Sequence, residues 1–186
     1  PEQRVTIDVN EGRRLIELAK KELSVQEIPP LVLLVGDSPT AAKAATYVQG
    51  LLKSTLGLDI KIDNQTFKQR LAKMTVGEFD IVSAGWGPDF NDIMTFGDLF
   101  ASWNLNNRGR YENPEYDANV RQAQNSTDPQ VRMDAMARAQ EIIIRDAVII
   151  PQFEGGQVYV QHPRLKGVTR RVVGHDPDYT NARVIQ

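Results

Sequence analysis

The sequence contains no cysteine, only two histidines and no long apolar run. Without cysteine the chain has no disulfide, no thiolate nucleophile and no cysteine-ligated metal. His162 and His175 lack the spacing of a helical metal pair, and we interpret both as solvated loop residues. No apolar run approaches the roughly 20 residues that span a bilayer, and no charged-then-apolar leader precedes the first predicted helix. We therefore expect a soluble chain with no metal site.

An excess of charge of one sign is also lacking. The chain has 22 basic and 24 acidic residues, a formal net charge of -2 and an isoelectric point near 5.8. This balance gives no field suited to a phosphate backbone, which argues against nucleic acid as a partner. What is present is a length of 186 residues with 41% hydrophobic content, enough to bury the core of one good-sized domain.

Hydrophobic periodicity over the first half of the chain predicts alternating helices and strands. Residues 10–23 form an amphipathic helix with Asn10 as its expected cap. Residues 31–35 are continuously apolar, which is typical of a central strand covered on both faces. Ser38 is the expected cap of the next helix, and Gly57 ends it.

Two further strands complete a β-α-β-α-β order. Apolar and charged residues alternate over 58–63, which predicts a strand near a sheet edge, and a short helix over 67–74 leads into a third strand over 79–84. Because connections of helical length join parallel strands, the fold class is α/β, with helices on both faces of a parallel sheet. With the first strand in the middle, the carboxyl ends of the first and third strands form a crevice lined by the loops that follow them.

The second half of the chain is predicted to contain helices, loops and a weakly patterned tail. The predicted elements are a helix over 93–101 capped by Asp92, helices that begin after Asn113 and Asp128, and short strands over 147–151 and 157–161. From Lys166 onward glycine, proline and charge replace periodicity, apart from short apolar stretches at 172–173 and 183–185. No core is predicted in this tail.

Three motifs carry a resemblance to a known family. They are Ala-Gly-Trp-Gly-Pro-Asp-Phe-Asn-Asp-Ile-Met-Thr-Phe at 84–96, Asn-Pro-Glu-Tyr-Asp at 113–117 and Ile-Ile-Pro-Gln-Phe at 149–153. In this order and spacing they resemble the second lobe of the extracytoplasmic oligopeptide- and dipeptide-binding proteins of ABC importers, the family 5 solute-binding proteins. The resemblance implies a periplasmic-binding-protein-like lobe over residues 1–165 and a tail over 166–186 that returns to a first lobe.

The resemblance also implies a function. Members of this family capture extended oligopeptides outside the cytoplasm and deliver them to the permease subunits of an ABC importer, without catalysis and without a cofactor. The expected partners are therefore an oligopeptide ligand, the first lobe of the same protein and the membrane permease. The expected location is extracytoplasmic, in the periplasm or at the cell surface, with the full-length protein either anchored as a lipoprotein or soluble.

Five residues are candidate ligand contacts through the resemblance. Asp89 stands where family members pair with the amino terminus of the peptide, and Trp86 stands where an aromatic ring lines the pocket. Phe67 matches an aromatic residue of several relatives, and Gly87 and Ser83 complete the predicted set. The basic residues that some relatives use for the ligand carboxylate are replaced here by small or apolar ones. The carboxyl end of the ligand is therefore expected to be bound by the first lobe.

Other interpretations stay open at this point. Relatives of this architecture also bind nickel complexes and sugars. Alternatively, Asp89, Asp92 and Asp98, with Asp37 on a neighbouring loop, would hold Mg2+ in a phosphoryl-transfer or receiver-like domain. Neither a glycine-rich phosphate loop nor a His or Cys base accompanies these acids. From turn and capping chemistry alone, Asp89 is a turn residue, Asp92 a helix cap and Asp98 a solvated helix residue.

Overall fold

The structure is a computed structural model that describes residues 8–156, 158–171, 173 and 176–186. The chain divides into two compact units, Pro1–Gly85 and Trp86–Gln186, which are described in turn as unit 1 and unit 2. Within the described ranges no helix has both the length and the apolar character of a membrane span.

Unit 1 is built around a three-stranded parallel sheet. Its elements are α1 (Val9–Leu23), β1 (Leu31–Gly36), α2 (Pro39–Leu56), β2 (Ile60–Gln65), α3 (Phe67–Val76) and β3 (Ile81–Val82). β1 lies between β2 and β3 and runs parallel to both, with Leu31 opposite Ile60 and Leu33 opposite Ile81. The predicted α/β class, the central strand and the edge strand are confirmed.

Local capping sets the helix boundaries of unit 1. As predicted, the Ser38 side chain accepts a first-turn N–H at 3.1 Å, and Gly57 ends α2 in the left-handed conformation, at φ 73°, that suits a residue without a Cβ. The predicted cap of α1 is wrong. Asp8 caps this helix and accepts the N–H groups of Asn10 and Glu11. Both residue types cap well, but the Asp8 carboxylate also interacts favourably with the positive end of the helix dipole.

Both faces of β1 are buried. Leu33 and Val35 pack with Ala45 of α2 and Ile60 of β2, while Leu34, which points to the opposite face, is 0% exposed. α2 and α3 both contact β1. Burial on two faces explains why this strand is continuously apolar, and the prediction from that pattern is confirmed.

β3 is shorter than the predicted strand. The N–H of Val32 donates to the Asp80 carboxylate at 2.7 Å, in the place where a strand carbonyl would accept it. At the other end the N–H of Ser83 donates to the carbonyl of Leu34 at 2.9 Å, one residue beyond the strand. At the start of β3 the Asp80 carboxylate accepts the N–H of Val32, while the backbone N–H of Asp80 donates to the carbonyl of Val32 at 3.1 Å. A single backbone hydrogen bond extends the pairing at the other end.

Unit 2 is mainly helical. Its elements are α4 (Met94–Gly97), α5 (Pro114–Asn125), α6 (Pro129–Arg145), β4 (Leu165–Lys166) and β5 (Arg183–Val184). α5 and α6 begin at proline behind Asn113 and Asp128, whose side chains accept first-turn N–H groups as predicted. The buried core joins α4, α5 and α6 and consists of Met94, Ala101, Tyr116, Val120, Ala123, Ala135, Met136, Ala139, Ile142 and Ile143.

Close contacts tie these three helices together. The Tyr116 hydroxyl donates to the carbonyl of Gly97 at 2.7 Å, which joins α5 to α4. A Cβ on Gly97 would lie 2.3 Å from the sulfur of Met136, so a glycine lets α4 approach α6 closely. At the far end of α6, Asp146 accepts hydrogen bonds from the Tyr111 hydroxyl at 2.6 Å and the Asn113 amide at 2.8 Å. The guanidinium of neighbouring Arg145, together with these two donors, lowers the pKa of Asp146 to about 2.

The predicted helix over 93–101 is wrong in length. Only Met94–Gly97 is helical, and turns follow, with the N–H of Ala101 donating to the carbonyl of Asp98 at 3.0 Å. Asp92 is not at the cap position, which Ile93 occupies. The carbonyl of Gly97, the last helical residue, accepts a hydrogen bond from the Tyr116 hydroxyl. This tertiary hydrogen bond competes with the backbone hydrogen bond that would continue the helix.

The strands predicted near residues 150 and 160 are absent from the described residues, although Gln157 lies outside them. Ile150, Phe153, Val158 and Val160 are strongly exposed there, and a strand needs a neighbour to pair with. In the tail, β4 pairs antiparallel with β5, so part of the apolar stretch at 183–185 forms a strand. Of the other tail residues, Val172 and His175 lie outside the described residues.

The burial of Leu34 gives a stability prediction. We expect Leu34→Ala to lower the free energy of unfolding by about 2 to 5 kcal/mol, because it removes buried methyl groups and leaves a cavity beside the central strand. Leu23→Ala is the matched control, since Leu23 is 60% exposed at the end of α1 and its loss should cost within about 0.5 kcal/mol. Urea unfolding followed by circular dichroism measures both, and equal midpoints for the two variants would contradict the prediction.

Candidate functional site

In unit 1 the predicted contacts Phe67 and Ser83 are joined by a residue that was not predicted, Arg70. One guanidinium nitrogen of Arg70 donates to the carbonyl of Ser83 at 2.7 Å, and the Cζ atom lies 5.7 Å from the centre of the Phe67 ring. Phe67 is the first residue of α3 and is 70% exposed. The Nε of Arg70 is buried and has no hydrogen-bond partner among the described residues. Arg70 thus binds the backbone at the end of β3 and also contacts the exposed ring of Phe67.

Unit 2 opens with the predicted contacts Trp86, Gly87 and Asp89. Trp86 is 43% exposed, and the Asp89 side chain is also on the surface. The backbone N–H of Asp89 donates to the hydroxyl oxygen of Thr95 at 2.9 Å. Thr95 itself is only 4% exposed, so the exposed loop is attached to a buried side chain.

The two acids of this loop have different surroundings. The Asp89 carboxylate accepts no hydrogen bond and forms no ion pair within the described part of the chain. Asp92 accepts the N–H of Met94 at 2.9 Å, and its two oxygens accept from one nitrogen of Arg132 at 2.6 and 2.5 Å. Asp92 is thus not at the predicted cap position, but its carboxylate accepts one N–H of the first turn of α4 and forms an ion pair with α6. Of these two acids, only Asp89 has a carboxylate without a cation among the described residues.

Asp98 differs from its prediction as a solvated helix residue. It lies at the end of α4 and is partly buried, and this burial raises the pKa of its carboxyl group. The described residues contain no group of three or more His, Asp or Glu side chains placed to share a metal ion. Asp37 lies exposed after β1 in unit 1.

The loop that carries Trp86 and Asp89 is unobstructed at Gly87, and exposed aromatic rings lie near it in the sequence. A Cβ on Gly87 would meet nothing within 4 Å among the described atoms, so packing inside the unit does not require glycine there. Phe90 and Phe96 are about as exposed as Trp86. The other tryptophan, Trp103, is 41% exposed, and the Arg121 guanidinium lies 4.4 Å from the centre of its ring. Trp103 therefore has an intramolecular cation as its partner.

Residues 1–108 match the model of the bacterial extracellular solute-binding proteins, family 5, middle region. The chain belongs to this family. Among curated relatives it is 31% identical to a dipeptide-binding protein of Bacillus subtilis over 89% of this chain and 31% of that protein. It is 37% identical to a periplasmic oligopeptide-binding protein of Haemophilus influenzae over 78% of this chain and 26% of that protein.

A solved structure has the same fold. The substrate-binding domain of an oligopeptide ABC transporter from Bacillus anthracis superposes on all of this chain with a TM-score of 0.89 and 28% sequence identity, and the match covers 36% of that protein. The chain thus spans between about a quarter and just over a third of the length of the three proteins compared here. The periplasmic-binding-protein-like fold predicted for it is confirmed.

The ion pair between Asp92 and Arg132 gives a second prediction. In a double-mutant cycle with Asp92→Asn and Arg132→Gln, we expect a coupling free energy of up to about 1 kcal/mol, since both side chains are only partly exposed. The matched pair Lys53 and Asp59 is more exposed on both sides and should couple less. Urea unfolding of the single and double variants measures both cycles. A smaller coupling at Asp92 than at Asp59 would contradict the prediction.

Proposed function

We propose that this chain is the second lobe of a solute-binding protein that captures extended oligopeptides for an ABC importer. Family 5 membership supports the class of protein, and the names of the relatives compared above support a peptide ligand over a nickel complex or a sugar. In this proposal residues 1–165 form the lobe and residues 166–186 return to a first lobe. The protein acts outside the cytoplasm, delivers its ligand to the membrane permease, and has no catalytic role and no cofactor.

The single observation that carries the ligand assignment is the free carboxylate of Asp89. A protein that accepts peptides of many sequences must recognise groups that all peptides share, and the α-ammonium is one of them. Asp89 is exposed, has no cation beside its carboxylate among the described residues, and is held by its backbone rather than by its side chain. An ion pair and charge-assisted hydrogen bond to an ammonium group would contribute roughly 1.5 to 3 kcal/mol.

The other proposed contacts supply apolar surface and space. In unit 2, Trp86 offers a flat ring to apolar or cationic groups of the peptide, and the open position at Gly87 allows a ligand backbone to approach. In unit 1, Phe67 presents an exposed ring and Ser83 a hydroxyl group. Each unit thus presents an exposed aromatic ring, and ligand sites usually combine aromatic surface with a few polar groups.

Closure of two lobes over the ligand predicts a difference between this chain and the complete protein. The first lobe excludes water from the ligand and so strengthens the ion pair at Asp89. We therefore expect short peptides to bind the complete two-lobed protein and to bind this isolated chain weakly or undetectably in calorimetry. Micromolar binding by the isolated chain would contradict this, because it would place most of the determinants in one lobe.

Recognition of the ammonium group predicts a dependence on the peptide's amino terminus. In the complete protein, Asp89→Asn should weaken binding of peptides with free amino termini by about 10- to 100-fold, which corresponds to the loss of a charged partner. N-acetylated peptides should bind the wild type weakly and should be insensitive to Asp89→Asn. Glu78→Gln removes an exposed loop acid that precedes β3 and should leave both affinities unchanged. Equal wild-type affinity for free and acetylated peptides would refute the role of Asp89.

A further inference from the structure

We propose that Thr95 is a positioning residue that directs the Asp89 carboxylate towards the ligand ammonium, an inference that rests on the proposed function of Asp89. Thr95 does not touch the ligand. It is one of two polar side chains that are buried among the described residues, the other being Asn107. Its hydroxyl oxygen accepts the backbone N–H of Asp89 at 2.9 Å and thereby fixes the chain at the residue that carries the free carboxylate.

Thr95 is itself fixed to the core of unit 2. Its neighbour Met94 packs in the buried cluster of α4, α5 and α6. Two residues further on, the carbonyl of Gly97 accepts the Tyr116 hydroxyl at 2.7 Å. The N–H of Thr95 donates to the carbonyl of Asp92 at 3.2 Å. Thr95 therefore connects the loop to a well-packed part of the unit. This hydrogen bond restricts the movement of the Asp89 backbone.

A second attachment holds the other end of the same loop. Arg132 on α6 binds both oxygens of Asp92, and another of its nitrogens donates to the carbonyl of Ala123 at 2.7 Å. The loop between Asp89 and Asp92 is thus attached at both ends, while the Asp89 side chain has no internal partner among the described residues. A fixed backbone with an unoccupied carboxylate is what preorganised recognition of a cation requires, because the ligand then does not have to order the loop.

A purely structural role for Thr95 makes a different prediction. If its hydroxyl only satisfied a buried N–H group, its loss would lower stability and weaken the binding of all ligands alike. A positioning role makes the loss selective for ligands that use the Asp89 carboxylate. The two roles are distinguished by how strongly the protein prefers free over blocked amino termini.

The test uses the complete two-lobed protein and an equimolar pool of tetra- and pentapeptides, offered with free amino termini and after N-acetylation. The measured quantity is the ratio of retained free to retained acetylated peptide. We expect Thr95→Val, which keeps the shape but removes the acceptor, to reduce this ratio by about 3- to 10-fold. Thr95→Ser keeps the hydroxyl and should keep the wild-type ratio.

Ser126→Ala is the matched control, since the Ser126 hydroxyl also accepts a backbone N–H, that of Asp128 at 3.1 Å, away from the loop. It should leave the ratio unchanged. If Thr95→Val retains the wild-type ratio while Asp89→Asn abolishes it, the positioning role is overturned and the proposed function stands. If the wild type retains both pools equally, or retains neither pool, both proposals are overturned.

A measurement on the wild type keeps the inference testable if the valine variant does not fold. The Asp89 amide should exchange its hydrogen slowly, although its side chain is exposed, because Thr95 accepts that hydrogen. Exchange at the rate of an unprotected loop amide would overturn the positioning role.

Discussion

Parallel strand pairing is the constraint from which unit 1 follows. Parallel neighbours cannot be joined by a tight turn, so the chain crosses the sheet through α2 between β1 and β2 and through α3 before β3. β1 is hydrogen-bonded on both edges and buried on both faces, and every residue of it that meets a helix must be apolar. The same constraint brings the carboxyl ends of β1 and β3 side by side, and the chain leaves unit 1 from the end of β3.

Features set by neighbouring residues could be predicted from the sequence. The caps at Ser38, Asn113 and Asp128 and the stop at Gly57 depend on side chains within one helical turn of the boundary, and each is found where expected. The cap of α1 was predicted wrongly because two good capping residues stand two positions apart. Capping preference alone does not distinguish two such residues. The helix begins after the one whose side chain accepts its first N–H groups.

Features set by distant residues could not be predicted in this way. The helix predicted over 93–101 ends at Gly97, whose carbonyl accepts a hydrogen bond from α5. The candidate site has the same limit. The sequence separates Asp89 from Asp92 only by turn and capping chemistry and by the resemblance. The ion pair between Asp92 and Arg132, which lies far along the chain on α6, could not be predicted, and among the described residues Asp89 has no such partner. The tertiary fold therefore decides which of the two carboxylates forms an internal ion pair.

The distribution of tryptophan gives the two units different optical properties. The chain has two tryptophans, Trp86 and Trp103, and both belong to unit 2. Excitation at wavelengths that select indole therefore excites side chains of unit 2, while unit 1 contributes no direct tryptophan emission. Both rings are partly solvated, and one has a guanidinium group over its face. Fluorescence thus records changes in the loop of Trp86 and the turn of Trp103, and unfolding of the β1 sheet needs a backbone-sensitive signal.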